Sequence, residues 1–127
     1  MKKRDITSRD DVVLMVNTFY AHVQKNKELD HMFNSVANLD WDKHLPIMYD
    51  FWETIIFKNA IYNGNPMRVH KQLHGLQRLT PSMFKSWLDI FNRNMDALFL
   101  GDNAREAKVR ALSIATMIQM KTVYAKE

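Results

Sequence analysis

Apolar residues recur along this chain with the spacing of helices. Val12, Met15, Val16, Phe19 and Val23 follow one another at intervals of three and four, behind a Ser8 and an Asp11 that suit an N-cap and a first turn. Leu29, Met32 and Phe33 come after the polar run Gln24-Lys25-Asn26-Lys27 and suffice for one or two turns that cover one end of a core. Asp40 suits the cap of the next helix, whose wide stripe is Trp41, His44, Leu45, Met48, Phe51, Trp52, Ile55 and Ile56. Pro46 lies in its early turns and removes one backbone donor, so the helix is expected to kink there or to become regular only from that point.

Beyond the turn Tyr62-Asn63-Gly64-Asn65-Pro66, a short helix over Met67 to Leu73 is expected to end at Gly75. Thr80-Pro81 pairs an N-cap with proline at the first helical position, and Phe84, Trp87, Leu88, Phe91, Met95 and Leu98 then face inward up to a stop at Gly101. Asp102 or Asn103 opens a last helix carrying Ala104, Ala107, Ala111, Ile114, Ala115, Ile118 and Lys121. No repeat, linker or low-complexity segment interrupts the pattern.

Composition supports the same class. The chain has 127 residues, enough for one domain spanning 1–127 with one core. It holds only three Gly and three Pro, too few for the corners of sandwiches or Rossmann folds, so the expected class is all-α. With no Cys, disulfides, thiolate metal sites, a cysteine nucleophile and a thiolate-ligated haem are excluded. The start MKKRDITSRDD runs into charge rather than an apolar stretch, which is not the pattern of a signal peptide. No segment approaches the ~18 uninterrupted apolar residues of a membrane span. A cytoplasmic protein without a membrane partner is the expectation. The net charge of +4 raises the question of nucleic acid, but beyond Lys2-Lys3-Arg4 the basic residues are interspersed with acidic ones, so no nucleic-acid partner is expected.

Chemistry concentrates in five histidines. His22 and His31 sit among charged residues and read as surface positions. His44 lies on the apolar stripe one turn before Met48, and a buried imidazole there needs a partner. His70 and His74 have the i, i+4 spacing of a two-histidine zinc site, but Lys71-Gln72-Leu73 between them includes no Glu, and no further ligand is at hand. His74, beside Gly75, also suits a helix C-terminus, where a dipole or capping role is the plain alternative. The aromatic residues at helical spacing make a core by themselves. Tyr20, Trp87 and His44 each bring a hydrogen-bonding group inward, which suggests a polar pocket in an apolar cavity.

Several ordered segments carry a resemblance: Phe19-Tyr20, Trp41-x-x-His44 with Phe51-Trp52, Tyr62-Asn63-Gly64-Asn65-Pro66-x-x-x-His70, Phe84-x-x-Trp87-Leu88, Phe99-x-Gly101, Ala104 and Lys108-x-Arg110-Ala111. Together they resemble the truncated haemoglobins, and the third of their groups in particular, because the paired glycines of other truncated globins are missing. The resemblance implies a two-over-two helical sandwich around protohaem (haem b). It makes His70 the iron ligand, with His74 in that role if the short helix slips by one turn. Tyr20, His44 and Trp87 match the polar distal residues, and Phe19, Phe33, Met48, Phe51 and Trp52 match the apolar lining. Arg68, Lys71 and Arg78 would serve as cations for the haem propionates.

The implied partners are dioxygen, carbon monoxide or nitric oxide, together with a reductase if the iron turns over. Three functions stay open at this point: reversible binding of a diatomic ligand, a haem enzyme of nitric-oxide dioxygenase or peroxidase type, and a cofactor-free helical interaction module with a fully packed aromatic centre. His44 itself can bind iron, act as a gate or point outward.

Overall fold

The computed structural model describes residues 3–125, so the start of the Lys2-Lys3-Arg4 run lies outside the described residues. Six helices follow in order: α1 (Arg9–Val23), α2 (Lys27–Asp30), α3 (Trp41–Phe57), α4 (Pro66–Leu76), α5 (Pro81–Leu98) and α6 (Asp102–Lys121). A π-helical turn, His31–Val36, continues directly from α2. There is no strand among the described residues. The pair α1 and α3 lies against the pair α5 and α6, with α4 resting on α6, so the expected two-over-two layering is present.

Most helix starts follow the polar residues named from sequence. Ser8, Asn65 and Thr80 accept the backbone N–H three residues on, from Asp11, Arg68 and Met83, and Asp40 accepts from Asp42. Pro46 sits inside α3, which runs from Trp41 to Phe57, so of the two expected outcomes the delayed helix is absent. Its missing donor leaves only the Asp42 carbonyl without its helical partner, and both residues are exposed, so water can satisfy that oxygen. Gly75 does not stop α4, which continues to Leu76. The stop comes from Gln77 turning extended (φ −152°) while Leu79 N–H donates to His74 Nδ1 at 2.9 Å.

Gly101 follows α5 and carries φ +151°, in the region that favours glycine. A Cβ there would stand 2.4 Å from the Asp5 side chain. Asp5 occupies that space because it caps α6, accepting N–H bonds from Asn103 (2.8 Å) and Ala104 (2.9 Å). The cap of the last helix thus comes from the first residues of the chain. The same arm buries Ile6 completely and joins Arg4 to Asp11 by two bonds, at 2.8 and 2.6 Å. Thr7 N–H also donates to Asp11, at 2.9 Å.

The core runs along α1, where Val12, Met15, Val16, Phe19 and Val23 are all at most 2% exposed. Phe91, Met95 and Trp52 from α5 and α3 close over it, and Ala104, Ala107, Ala111 and Ala115 let α6 approach closely. Full burial of one such large apolar side chain contributes about 1.5–3 kcal/mol, so this face dominates the stability of the fold. The aromatic rings interlock within it: Trp52 and Trp87 both stack on Phe91, with centroids at 4.9 and 5.5 Å.

Arg4 and the Thr7 N–H hold the buried Asp11 carboxyl well below the usual carboxylate range, against the burial that opposes them. A carboxylate whose folded pKa is depressed contributes stability that is present above its unfolded value and lost as pH falls through the folded one. Asp11→Ala is therefore expected to cost about 1–3 kcal/mol, read as a lower urea midpoint at neutral pH, because it removes the acceptor of the Arg4 guanidinium and of the Thr7 N–H. The gap between variant and parent should narrow below the ordinary carboxylate pKa of 3.8. A constant gap down to strong acid would show that Asp11 acts by packing alone.

Candidate functional site

The apolar stripe of α3 is less buried than that of α1. Only Trp52 and Ile56 are fully covered, whereas Trp41, His44, Leu45, Met48, Phe51 and Ile55 stay half-buried. Helix α4 has no fully buried residue, and its inner face is Pro66, Met67, His70, Leu73 and His74 at the spacing of one helical side. These two faces, with the half-buried Trp87 of α5, leave partly covered apolar side chains carrying few polar groups, a cradle for a flat apolar group only if such a group is bound.

His70 is the polar centre of the α4 face. Its Nδ1 lies 2.7 Å from the Pro66 carbonyl one turn back. A carbonyl can only accept, so Nδ1 carries the proton and donates, and Nε2 is left with its lone pair. A hydrogen bond from the far ring nitrogen to a carbonyl fixes ring orientation and ligand basicity at metal sites. Burial lowers the His70 pKa, the Pro66 bond opposing it, so the ring is neutral near pH 7.

His74, the alternative ligand, is committed differently. Its Nδ1 accepts the Leu79 N–H, so the neutral ring bears its proton on Nε2 and offers no lone pair there. Among the described residues no group of three His, Cys, Asp or Glu gathers to hold a metal, so the i, i+4 histidines find no third protein ligand.

Across the cradle, His44 Nε2 lies 3.4 Å from the Tyr20 hydroxyl. Burial lowers the His44 pKa first, and the nearness of the His70 imidazole lowers it further, so the two rings lie within electrostatic reach of each other. Burial also raises the Tyr20 pKa, keeping its hydroxyl a neutral donor. Phe33 meets the Tyr20 ring edge-on at 5.7 Å, and Phe19 meets both Tyr20 and Trp87.

The residues named from sequence thus fall into groups. Tyr20, His44 and Phe33 meet directly, and Phe19 links Tyr20 to Trp87. Met48 and Phe51 lie on the half-buried α3 face. Trp52 goes into the core against Phe91 while touching Phe51. Arg68, Lys71 and Arg78 are exposed and join no ion pair among the described residues. At 3.6 residues per turn, Arg68 points about 160° away from His70 and Lys71 about 100°. His22 is exposed, and His31 is exposed with Gln77 as partner at 3.1 Å.

Two aromatic residues join the site without having been assigned to it. Trp41 packs on Tyr20 at 5.2 Å and on His44 at 5.6 Å, and Tyr62 sits on Phe51 at 5.1 Å. The spacing Trp41-x-x-His44, nearly one helical turn, was the available signal for the first.

The comparisons with known proteins bear on this geometry. No family model matches the chain. It is similar to the group 3 truncated hemoglobin ctb of Campylobacter jejuni, with 23% identity over 120 residues, 92% of this chain and 92% of that protein. The crystal structure of the group III truncated hemoglobin from Campylobacter jejuni superimposes with a TM-score of 0.83 at 24% identity, over 99% of this chain and 100% of that one. The fold is that of a group III truncated haemoglobin.

Because His74 serves the α4–α5 connection, His74→Ala is expected to destabilise by about 0.5–1.5 kcal/mol, the net worth of one hydrogen bond. Amide exchange of Leu79 should accelerate with it. An unchanged Leu79 exchange rate would contradict the assignment.

Proposed function

We propose that this chain is a haem protein of the group III truncated haemoglobin family that binds a diatomic ligand reversibly, with His70 as the iron ligand. The observation that carries the reading is the pair of neutral imidazoles facing one cradle, one with its Nδ1 proton tied to Pro66 O and its Nε2 free, the other beside the Tyr20 hydroxyl. The donor set fits haem: one neutral nitrogen on a short helix, an apolar wall on α3, and hydrogen-bond donors confined to the far side. The likeness to the Campylobacter jejuni protein supports the cofactor.

Bound haem would supply an iron able to take up dioxygen, carbon monoxide or nitric oxide. The protein does the rest. His70 Nε2 would hold the iron, with orientation set through Nδ1. Met48, Phe51 and Phe33 would exclude water from the porphyrin faces. Tyr20 and the Trp87 N–H would donate to a polarised ligand, where a dry setting strengthens the bond. Lys71 and Arg78 are the cations offered to the propionates, since Arg68 turns away from His70. A cofactor-free module calls for a fully packed centre, and the half-buried faces of α3 and α4 speak against one.

The absorbance spectrum of the purified protein tests this. A haem band is expected in the parent and in His74→Ala, lost or greatly weakened in His70→Gly, and restored there by added imidazole. A parent without the band after haemin addition overturns the cofactor, and a band lost in His74→Ala but kept in His70→Gly moves the ligand to His74. Tyr20→Phe should speed dioxygen dissociation by about 3–10-fold, the equivalent of one net hydrogen bond of 0.5–1.5 kcal/mol, measured by stopped flow.

A further inference from the structure

A helix that covers a core ordinarily turns polar residues to water, and the outer side of α6 does not. Its inner side is Ala104, Ala107, Ala111, Ala115 and Ile118, all buried. Val109, Thr116 and Met120 each lie about two and a half turns from one of these (Ile118, Ala107 and Ala111), so they point directly away from the core. That outer side is apolar: Val109 is 53% exposed, Leu112 56%, Met117 57% and Met120 62%. Between Arg110 and Lys121 the helix carries no charge, whereas its first half holds Asp102, Arg105, Glu106, Lys108 and Arg110. Along one edge Val109 and Leu112 open onto a shallow groove against Leu88 of α5, which widens the apolar area. Contiguous exposed apolar surface rimmed by charge marks an interaction site, and methionine is favoured on such surfaces.

What fits this stripe is the stripe itself. Laid antiparallel against a second copy, with a two-fold axis level with the Ile114–Ala115 peptide, Val109 comes opposite Met120 and Ser113 opposite Thr116. The two-fold also sets each flank of the helix against the same flank of the other copy. Glu106 and Lys121 share a flank, about 60° apart around the axis, and the reversal brings them within about 3 Å of the same level along it. Both are exposed, and neither enters an ion pair among the described residues. Each Glu106 thus meets Lys121 of the second copy, once at either end of the stripe. The helix dipoles favour the same direction, because each positive N-terminal end lies beside a negative C-terminal one. A parallel pair would set like dipole ends together and leave both Lys121 side chains without a counter-charge.

We propose that two copies of this chain associate through α6 as an antiparallel pair, with Val109, Leu112, Thr116, Met117 and Met120 at the centre and a Glu106–Lys121 ion pair at each end. The same patch serves both copies, so the contact closes at two. A strip about 16 Å long and one helix wide is smaller than the ~800 Å² per partner of a standard stable interface, so the pair is weak, half formed at about 10–100 μM. The outer side of α6 carries none of the residues assigned to haem, and the pairing holds with or without it.

Sedimentation velocity of the purified protein, from well below that concentration range to well above it, tests the pairing. The weight-average mass should rise from 15.0 kDa toward twice that value and level off there. Leu112→Lys and Met120→Lys, at exposed positions where the fold tolerates change, should each weaken association by more than about 10-fold, since each change enters the contact twice. Glu106→Lys and Lys121→Glu should each weaken it by about 2–10-fold, and the two together in one chain should restore the parent's affinity. The circular dichroism of every variant should match the parent's, which separates lost association from lost helix. A parent that stays at 15.0 kDa throughout overturns the proposal, whether or not it then binds lipid vesicles or another protein. Growth past two copies without a plateau overturns it as well, since plain stickiness does not close. A neutral Lys121→Glu, or a double exchange that fails to restore affinity, overturns the antiparallel pair.

Discussion

The buried face of α1 is the surface against which the rest of the molecule is placed. Helix α3 packs on one side of it and α5 on the other, so an error in that face would displace both layers at once. A single buried polar contact fixes the crossing: Asn94 of α5 donates to the Met15 carbonyl of α1 at 3.0 Å. Neighbouring residues at the end of the face take up different work. Phe19 turns to the core and meets Phe91 and Trp87, while Tyr20 brings its hydroxyl to His44. The position of the site is thereby inherited from the packing of the core.

Two histidines four residues apart on one short helix end in opposite chemical states because of what their Nδ1 atoms meet. A carbonyl one turn back makes His70 a donor there, and an amide beyond the helix end makes His74 an acceptor. The contrast needs no difference in burial or charge. It follows from the helix geometry, in which an imidazole at position i reaches the i−4 carbonyl, and from the extended break at Gln77 that turns Leu79 N–H back toward α4.

What the sequence revealed was largely what local chemistry decides. Ser8, Asp40 and Thr80 cap their helices as read, since the cap bond spans two or three residues and the partner is always in place. Gly75 misled, and Pro46 left its helix undelayed, for a related reason: glycine permits a helix to end and proline penalises one backbone bond, but neither compels the outcome when surrounding contacts favour continuation. The nitrogen state of His74 was out of reach because it depends on a break three residues beyond it, at Gln77. The π-helical turn was invisible too, since Leu29, Met32 and Phe33 have the spacing of an ordinary helical turn. Arg68, Lys71 and Arg78 were chosen by proximity to His70, and the helical angle adds that Arg68 and His70 point to different sides of α4.

The contact of Asp5 with Asn103 joins positions 98 apart in the chain. A ribosome makes the amino end first, so the carboxylate that finishes α6 is present long before the helix it serves. The arm already has partners in α1, where Arg4 and the Thr7 N–H bond Asp11, and Asp5 finds its own only when the backbone at Gly101 is there to receive it. A side chain made early thus closes a helix made much later, at a residue where any Cβ would stand in the way.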